Sequence, residues 1–341
     1  MRKFFCALLC WACSMCVQAQ DELLKLRLET RVDYQREYLD GEAVHDNSGF
    51  KGKYFMLSAD GHIGKHFSYA YRQRLNNSIS DGSFFDATDW AYIKYRLDDH
   101  WSFSGGKEVV AIGGYEYDMN PINVFFASEY WNNIAPFQFG ASIGYTPNGG
   151  KDRFTAQVSE SIYRNNAPDM YSYNLMWVGS HGWFNTMYSA NLVEYLPGKY
   201  ISYIALGHRF NFGRVSIDAD FMNRAASGQT YFFKDCSVIV NLNYSPIDKL
   251  NIFGKMSYDV NKTDKAADYS VMPGTEIKQV GGGVEYRPIK SVRLHAAYSH
   301  AFGKNGNAEG TVKPGKDFAS VGVTWDVNLL SLSDILKKLK D

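Results

Sequence analysis

The sequence has no long uninterrupted run of hydrophobic residues beyond its first twenty positions. A membrane-spanning helix needs about 18 to 20 consecutive apolar residues, and no later stretch of the 341-residue chain approaches that length. Mean hydropathy is also negative, at −0.32. The sequence therefore predicts no membrane-spanning helix.

Cysteine is scarce outside the N-terminus. Four of the five cysteines lie within the first sixteen residues, and only Cys236 follows them. A single cysteine cannot form an internal disulfide, so the class of small disulfide-stapled secreted domains is excluded. A zinc site built from several cysteines is excluded in the same way.

Neither sign of charge is in excess. The chain has 36 Lys and Arg and 36 Asp and Glu, a formal net charge of zero. Nucleic-acid-binding domains carry a basic surplus, so we expect no nucleic-acid partner. Any preference for ions must come from the local placement of charged side chains.

The first residues match a secretory signal. A basic start at Arg2 and Lys3 precedes an apolar stretch over 4–15 and a small-residue cleavage site over 17–19. We expect residues 1–19 to be a cleaved signal peptide. The alternative is an uncleaved amphipathic segment.

Alternation of apolar and polar residues is the main structural signal. From Leu24 to Gln35 the even-numbered residues are Leu, Leu, Leu, Thr, Val and Tyr, and the odd-numbered ones are Lys, Arg, Glu, Arg, Asp and Gln. This period of two is typical of a strand with two different faces. We predict sixteen such strands: Leu24–Tyr38, Lys53–Ile63, Phe67–Asn76, Thr88–Leu97, Trp101–Ala111, Phe137–Tyr145, Phe154–Tyr163, Met170–Gly179, Trp183–Tyr195, Tyr200–Phe210, Arg214–Asn223, Asp235–Tyr244, Leu250–Val260, Lys278–Tyr286, Val292–Phe302 and Phe318–Val327.

The connections between these strands alternate between short and long. Short ones, such as 64–66 and 180–182, carry Gly or other turn residues, whereas long ones include Asp40–Lys51 and Asn261–Glu276. Short periplasmic turns and longer extracellular loops are typical of outer-membrane barrels, and a soluble β-protein, the alternative, has no need of this asymmetry. We therefore predict an all-β, transmembrane, antiparallel up-and-down β-barrel over 20–328, in contact with outer-membrane lipid.

The C-terminus shows a different spacing. Leu329, Leu332, Ile335, Leu336 and Leu339 recur at near-helical intervals beside three lysines. We predict a short amphipathic helix over 329–341, on the periplasmic side.

A barrel of sixteen strands leaves an aqueous channel, because only much smaller barrels are filled by their own side chains. The predicted inward faces of the N-terminal strands carry a basic wall, and the stretch Gly113–Ala135 between the fifth and sixth strands does not alternate and carries acids but no Lys or Arg. We predict that this stretch folds inward as a constriction segment and brings its acids toward the basic wall. The basic wall consists of Lys25, Arg27, Arg31, Arg72, Arg74, Lys94, Arg96 and Lys107, and the acids are Glu116, Asp118 and Glu129.

The sixteen-strand plan, the segment after the fifth strand and the stretch WSFSGGKEVVAIGGYEYD at 101–118 resemble bacterial porins, and most of all the phosphate-selective porin O and P family. The resemblance implies a water-filled, homotrimeric channel in which basic residues guide anions. The best matches in role are Arg31, Arg72, Arg74, Lys94 and Arg96. Phosphate-selective members place basic residues on the constriction loop, whereas this chain has only acids there, so phosphate selectivity does not follow from the resemblance.

Catalytic signatures are absent from the sequence. The strand histidines have no accompanying GxSxG motif, and no HExxH or similar spacing indicates a metal site. We therefore predict no enzyme, no cofactor and no metal. The function predicted is a porin for passive diffusion of small polar or ionic solutes, including anions such as phosphate. The alternatives are a non-conducting barrel in adhesion or scaffolding and a barrel hydrolase.

Overall fold

The computed structural model describes residues 23–77, 84–163, 168–229, 233–264, 266–307 and 312–331. The predicted signal peptide over 1–19 lies outside the described residues. So does the part of the predicted C-terminal helix from residue 332 onward.

The chain forms a closed antiparallel β-barrel of sixteen long strands, in which each strand pairs with its neighbours in sequence and the last pairs with the first. A two-residue strand, Glu42–Ala43, also pairs with the end of the first strand. The long strands are β1 Lys25–Leu39, β2 Gly49–Ile63, β3 Phe67–Arg74, β4 Thr88–Arg96, β5 Trp101–Val109, β6 Phe137–Tyr145, β7 Asp152–Glu160, β8 Tyr171–His181, β9 Phe184–Leu196, β10 Lys199–Phe212, β11 Val215–Ala226, β12 Asp235–Ile247, β13 Leu250–Asn261, β14 Glu276–Ile289, β15 Val292–Lys304 and β16 Val312–Ser331.

The barrel is apolar outside and polar inside. Large hydrophobic side chains such as Leu175, Met256 and Val321 are more than 60% exposed on the outer wall, while Asp220 and Asp259 are almost fully buried inside. This inversion of the usual soluble pattern follows from alternation: one face of each strand meets lipid and the other meets the interior. The predicted all-β, sixteen-strand antiparallel barrel is confirmed.

Among the described residues, no helix is both long and apolar enough to cross a membrane. The helices are short: three 3-10 turns at His45–Asn47, Phe84–Ala87 and Pro121–Asn123, and one α-helix, α1, at Glu129–Asn132.

The connections keep the predicted asymmetry. Tight turns at one end use Gly64, Gly182 and Gly213 with positive φ, between 64° and 80°, a conformation that glycine adopts without steric cost. The first and last described strands begin and end at this same end, opposite the longer loops. We take the short-turn end as periplasmic and the long-loop end as extracellular.

The end of β16 corrects one prediction. Leu330 pairs with Leu26 and Ser331 pairs with Lys25, so 329–331 belong to the last strand and not to a helix. The backbone N–H and C=O groups at the start of β1 need partners, and β16 supplies them. Pairing with β1 therefore extends β16 past the predicted barrel end at 328. The remaining prediction of a helix falls outside the described residues.

Part of the barrel interior is packed. A hydrophobic cluster joins inward side chains of β9, β10 and β11 to the segment between β5 and β6 and to the loop after β13. Tyr203, Val193, Tyr130, Ile112 and Val271 are each at most 2% exposed in this cluster. The interior space that remains lies mainly along the other strands.

Candidate channel constriction

The segment 110–136, here called the inner segment, connects β5 to β6 and is bonded to inward-facing carboxylates of several strands. The backbone N–H groups of Tyr115 and Glu116 donate to Asp220 of β11, at 2.9 and 2.8 Å. The N–H of Glu129, the first residue of α1, donates to Asp259 of β13 at 2.9 Å. Carboxylates thus anchor the donor groups of the inner segment on this side of the barrel.

Basic side chains anchor its carbonyl groups on the other side. Arg31 of β1 donates to the carbonyls of Ile122 and Val124, at 3.2 and 2.8 Å. Arg293 of β15 donates to the same Ile122 carbonyl at 3.0 Å. Since the inner segment is held by β1, β11, β13 and β15 together, it crosses the interior of the barrel. This is where the sequence predicted a constriction segment over 113–135.

Two adjacent glycines allow this crossing. A Cβ on Gly113 would lie 2.5 Å from the Met187 carbonyl oxygen of β9, so only glycine permits the close approach. Gly114 has φ of +104°, which other residues rarely adopt. The Gly113-Gly114 pair therefore turns the chain inward against the wall.

Three residues of the predicted basic wall are committed to bonds within the barrel. Arg31 is 1% exposed and forms an ion pair with Asp33 at 2.6 Å. Arg72 and Arg74 share Asp89, each at 2.7 Å. Since Asp33 shares a strand face with Arg31, and Asp89 lies beside Arg72 across β3 and β4, local pairing removes most of the free positive charge that the sequence suggested.

Arg72 also reaches the inner segment. Its guanidinium donates to the Asn120 side chain at 3.0 Å and lies 3.6 Å from the Trp90 ring centroid. Arg31 and Arg72 therefore hold the inner segment as much as they line a channel.

Two further members of the predicted wall lie near the periplasmic end of β1. Arg27 forms ion pairs with Glu29 at 3.4 Å and with Asp326 at 3.8 Å. Lys25 lies opposite Asp60 in the β1–β2 register. Neither joins the cavity described below.

Lys107 does not lie on the inward face where it was predicted. It lies opposite Phe139 in the β5–β6 register, on the strand face of the exposed Trp101 and Phe103. Its ammonium donates to the carbonyl of Phe85, in the loop before β4. The period-two alternation of β5 thus places Lys107 on the outer face, and the prediction that it lines the pore is wrong.

A cavity of about 460 Å³ lies between the inner segment and the inward face of β4 to β7. Lys94 of β4 and Arg153 of β7 both line it. Arg96 lies close enough to Lys94 to repel it, as does Arg153. Within the described chain, none of these three cations forms an ion pair with an acid, so they are the free positive charges of this wall.

Arg153 was missed in the sequence analysis. It precedes Phe154, where the predicted strand began, whereas the observed β7 begins at Asp152. The same inward face carries Thr155 and Gln157, which also line the cavity. The alternation of outward and inward side chains continues two residues before Phe154. Starting the predicted strand there would have included Arg153 on the inward face.

The three predicted acids of the inner segment have different surroundings. Glu116 is buried in an ion pair with Lys255 of β13 and accepts from Ser128. Glu129 is half-buried and accepts from Asn133 at 2.8 Å. Neither lines the cavity of Lys94 and Arg153. The prediction that all three acids face the basic wall is therefore wrong, because two are drawn into local bonds.

Asp118 is the predicted acid that lines the cavity together with Lys94 and Arg153. Its side chain opens into the cavity, yet loss of hydration inside the barrel raises its pKa, while the positive charges of Arg153 and Arg209 oppose that rise. Glu108 of β5 is a second acid there and accepts from two serines. The cavity thus carries cations on the wall and an acid on the inner segment.

Trp131 lies between this cavity and the extracellular side. Trp131 of α1 lines both the cavity and an outer recess of about 390 Å³. The recess is lined by Lys53 and Lys316, and Lys316 pairs with Glu37 at 3.2 Å. A solute passing from the recess to the cavity would pass Trp131.

Within the described residues, no group of three or more His, Cys, Asp or Glu side chains is arranged to hold a metal ion.

A closed sixteen-strand barrel with an apolar outer wall, an asymmetry of turns and loops, and a segment folded inward after the fifth strand has the architecture of outer-membrane porins. The family Phosphate-selective porin O and P matches residues 24–187, which span β1 to the start of β9. Over these residues the chain is similar to that family. No curated protein sequence matches the chain.

Solved structures share the fold at low sequence identity. The chain is similar to the anion-selective porin from Comamonas acidovorans, with a TM-score of 0.62, 12% identity and coverage of 89% of this chain and 99% of that one. It is similar to the outer membrane channel DcaP of Acinetobacter baumannii, with a TM-score of 0.60, 12% identity and coverage of 89% and 96%. A third, the trimer form of OmpT from Vibrio cholerae, has a TM-score of 0.58, 11% identity and coverage of 90% and 100%.

Proposed function

We propose that this porin conducts small polar or ionic solutes passively past Trp131 and through the cavity between the inner segment and β4 to β7. The observation that carries the proposal is the opposition of Lys94 and Arg153 on the wall to Asp118 on the inner segment. Opposed charges across a narrow aqueous gap create a transverse field, which orients polar solutes and sorts ions. The inner segment is the constriction in this proposal.

The proposed ion preference is weakly anionic. Lys94 and Arg153 line the cavity and Arg96 lies near Lys94, and none of the three forms an ion pair among the described residues. Asp118 and Glu108 are the acids that line the cavity. Arg72 and Arg74 share one carboxylate and add a further net positive charge nearby. Phosphate is one candidate anion, and the fold gives no reason to single it out.

Single-channel recording in a planar bilayer tests the proposal. The wild-type protein is expected to give steady open steps, with a reversal potential under a salt gradient displaced toward anions. Lys94→Ala with Arg153→Ala is expected to move that potential toward cations. Lys249→Ala with Lys290→Ala is the matched control, since both lysines are exposed and neither lines the cavity.

The absence of open steps from correctly folded protein would favour a non-conducting barrel. The observation that favours a non-conducting barrel is the packed hydrophobic cluster, which fills one side of the interior. Hydrolysis of a chromogenic ester by the purified protein would instead revive the barrel hydrolase, whereas we propose that the protein is not an enzyme.

We further propose that the protein is a homotrimer. The support is the likeness to the trimer form of OmpT and an outer wall rich in exposed apolar side chains. Crosslinking in mild detergent is expected to stop at three subunits, and conductance steps are expected in groups of three. A monomer in both measurements would contradict the proposal.

A further inference from the structure

A cluster of lysines lies on the outer wall of the barrel, away from the proposed channel. Lys262, Lys278 and Lys304 line a recess of about 610 Å³ at the extracellular end of β13, β14 and β15. All three side chains are exposed. They come from three consecutive strands or strand ends, so the barrel itself holds them together.

The strand alternation shows which way this recess faces. Lys278 shares a face of β14 with Val280 and Val284, which are 47% and 39% exposed on the lipid side. Lys304 shares a face of β15 with Phe302, which is 40% exposed and also lines the recess. The recess therefore opens toward the membrane and not into the channel.

The recess carries a surplus of positive charge. Its acid is Glu276, which is already engaged by Lys262 at 3.1 Å and by the Tyr258 hydroxyl at 3.0 Å. Lys278 lies 5.7 Å from the Tyr258 ring centroid. In the part of the chain that the structure describes, neither Lys278 nor Lys304 forms a close ion pair, although Lys304 lies opposite Glu276 in the β14–β15 register, so three lysines share this one carboxylate.

We propose that this recess binds the phosphate-bearing headgroup of a lipid in the outer leaflet. A ligand there must present negative charge at the height of the extracellular rim and apolar chains just below it, along Val280 and Phe302. Ammonium groups bind phosphate as point charges, and an aromatic ring such as Tyr258 suits the boundary between lipid and water. A soluble anion would satisfy the lysines but not the apolar wall beneath them.

The test measures lipid binding to the full-length protein purified in detergent micelles. The probes are bisphosphorylated lipid A, the same lipid without its phosphates, and inorganic phosphate as competitor. Each lysine near a membrane surface strengthens the binding of anionic lipid about fivefold, so Lys278→Ala with Lys304→Ala is expected to weaken lipid A binding about 25-fold. The dephosphorylated lipid is expected to bind the wild type no better than lipid A binds this variant.

The matched control is Lys249→Ala with Lys290→Ala. These lysines are also exposed and flank the same strands, at the opposite, periplasmic end. The control is expected to bind lipid A like the wild type. Equal losses in both double variants, no dependence on the lipid phosphates, or displacement of the lipid by millimolar inorganic phosphate would each overturn the proposal. Retained conductance steps in both variants confirm that the barrels are folded.

Discussion

Asp220 holds one end of the inner segment, so its removal is expected to change the current through the channel. This carboxylate accepts the N–H groups of Tyr115 and Glu116, at 2.9 and 2.8 Å, and all three residues are buried. Replacing Asp220 by alanine leaves two backbone donors without an acceptor. A hydrogen bond to a charged group contributes about 1.5 to 3 kcal/mol, so the closed position of this end of the segment loses about 3 kcal/mol or more.

That loss corresponds to a change of more than about 100-fold in the ratio of attached to released segment. We expect Asp220→Ala to raise single-channel conductance and the noise of the open current, because the released segment no longer holds one position across the interior. Steady-state recording in a planar bilayer measures both quantities at fixed salt.

Asp218→Ala is the matched control for this experiment. Asp218 is equally buried, two residues earlier on the same face of β11, but it pairs with Arg209 of β10 at 2.6 Å and makes no bond to the inner segment. Its loss should leave the open current as quiet as in the wild type. If folded Asp220→Ala protein conducts like the wild type, the carboxylate does not hold the inner segment and the reasoning is wrong.

Three further predictions follow from single sites. Arg72→Ala with Arg74→Ala leaves Asp89 without either partner, so the reversal potential is expected to move toward cations. An unchanged reversal potential would show that these two arginines do not contribute to ion selectivity. Because the pKa of Asp118 is raised, its negative charge is lost on acidification at a higher pH than that of an ordinary Asp. Anion preference should therefore grow as pH falls, and Asp118→Asn should flatten this dependence in reversal potentials measured across the acidic range. Gly113→Ala forces a side chain against a backbone carbonyl of β9, and overpacking of this kind costs about 1 to 3 kcal/mol, which thermal unfolding in detergent would show as a lower midpoint.

The strands were predictable because their signal is local. Each of the sixteen predicted strands overlaps an observed one, since alternation along a strand directly records which side chains meet lipid and which meet the interior. The errors lie at the ends, as at β16, where pairing with β1 and not side-chain pattern decides how far the strand continues. The place of the inner segment was also predictable, because the alternation stops there.

The partners of the charged side chains were not predictable in the same way. Alternation correctly turned Arg31 and Arg72 inward, but it could not show that Asp33, Asp89 and the inner segment would take up their charge. It also gave no sign that the loop after β13 would enter the interior, where Asp268 pairs with Arg224 of β11. These contacts join residues far apart in the chain.

The sequence by itself determined a sixteen-strand barrel with a polar interior and an acidic segment after the fifth strand, because these properties depend on the order of neighbouring side chains. Only the tertiary structure decided which charges remain free. Closure of the barrel brings distant strands within hydrogen-bonding distance of the inner segment. Four of the eight predicted cations, Arg27, Arg31, Arg72 and Arg74, are bonded there or along the wall. What remains on the proposed path is Lys94 and Arg153 facing Asp118.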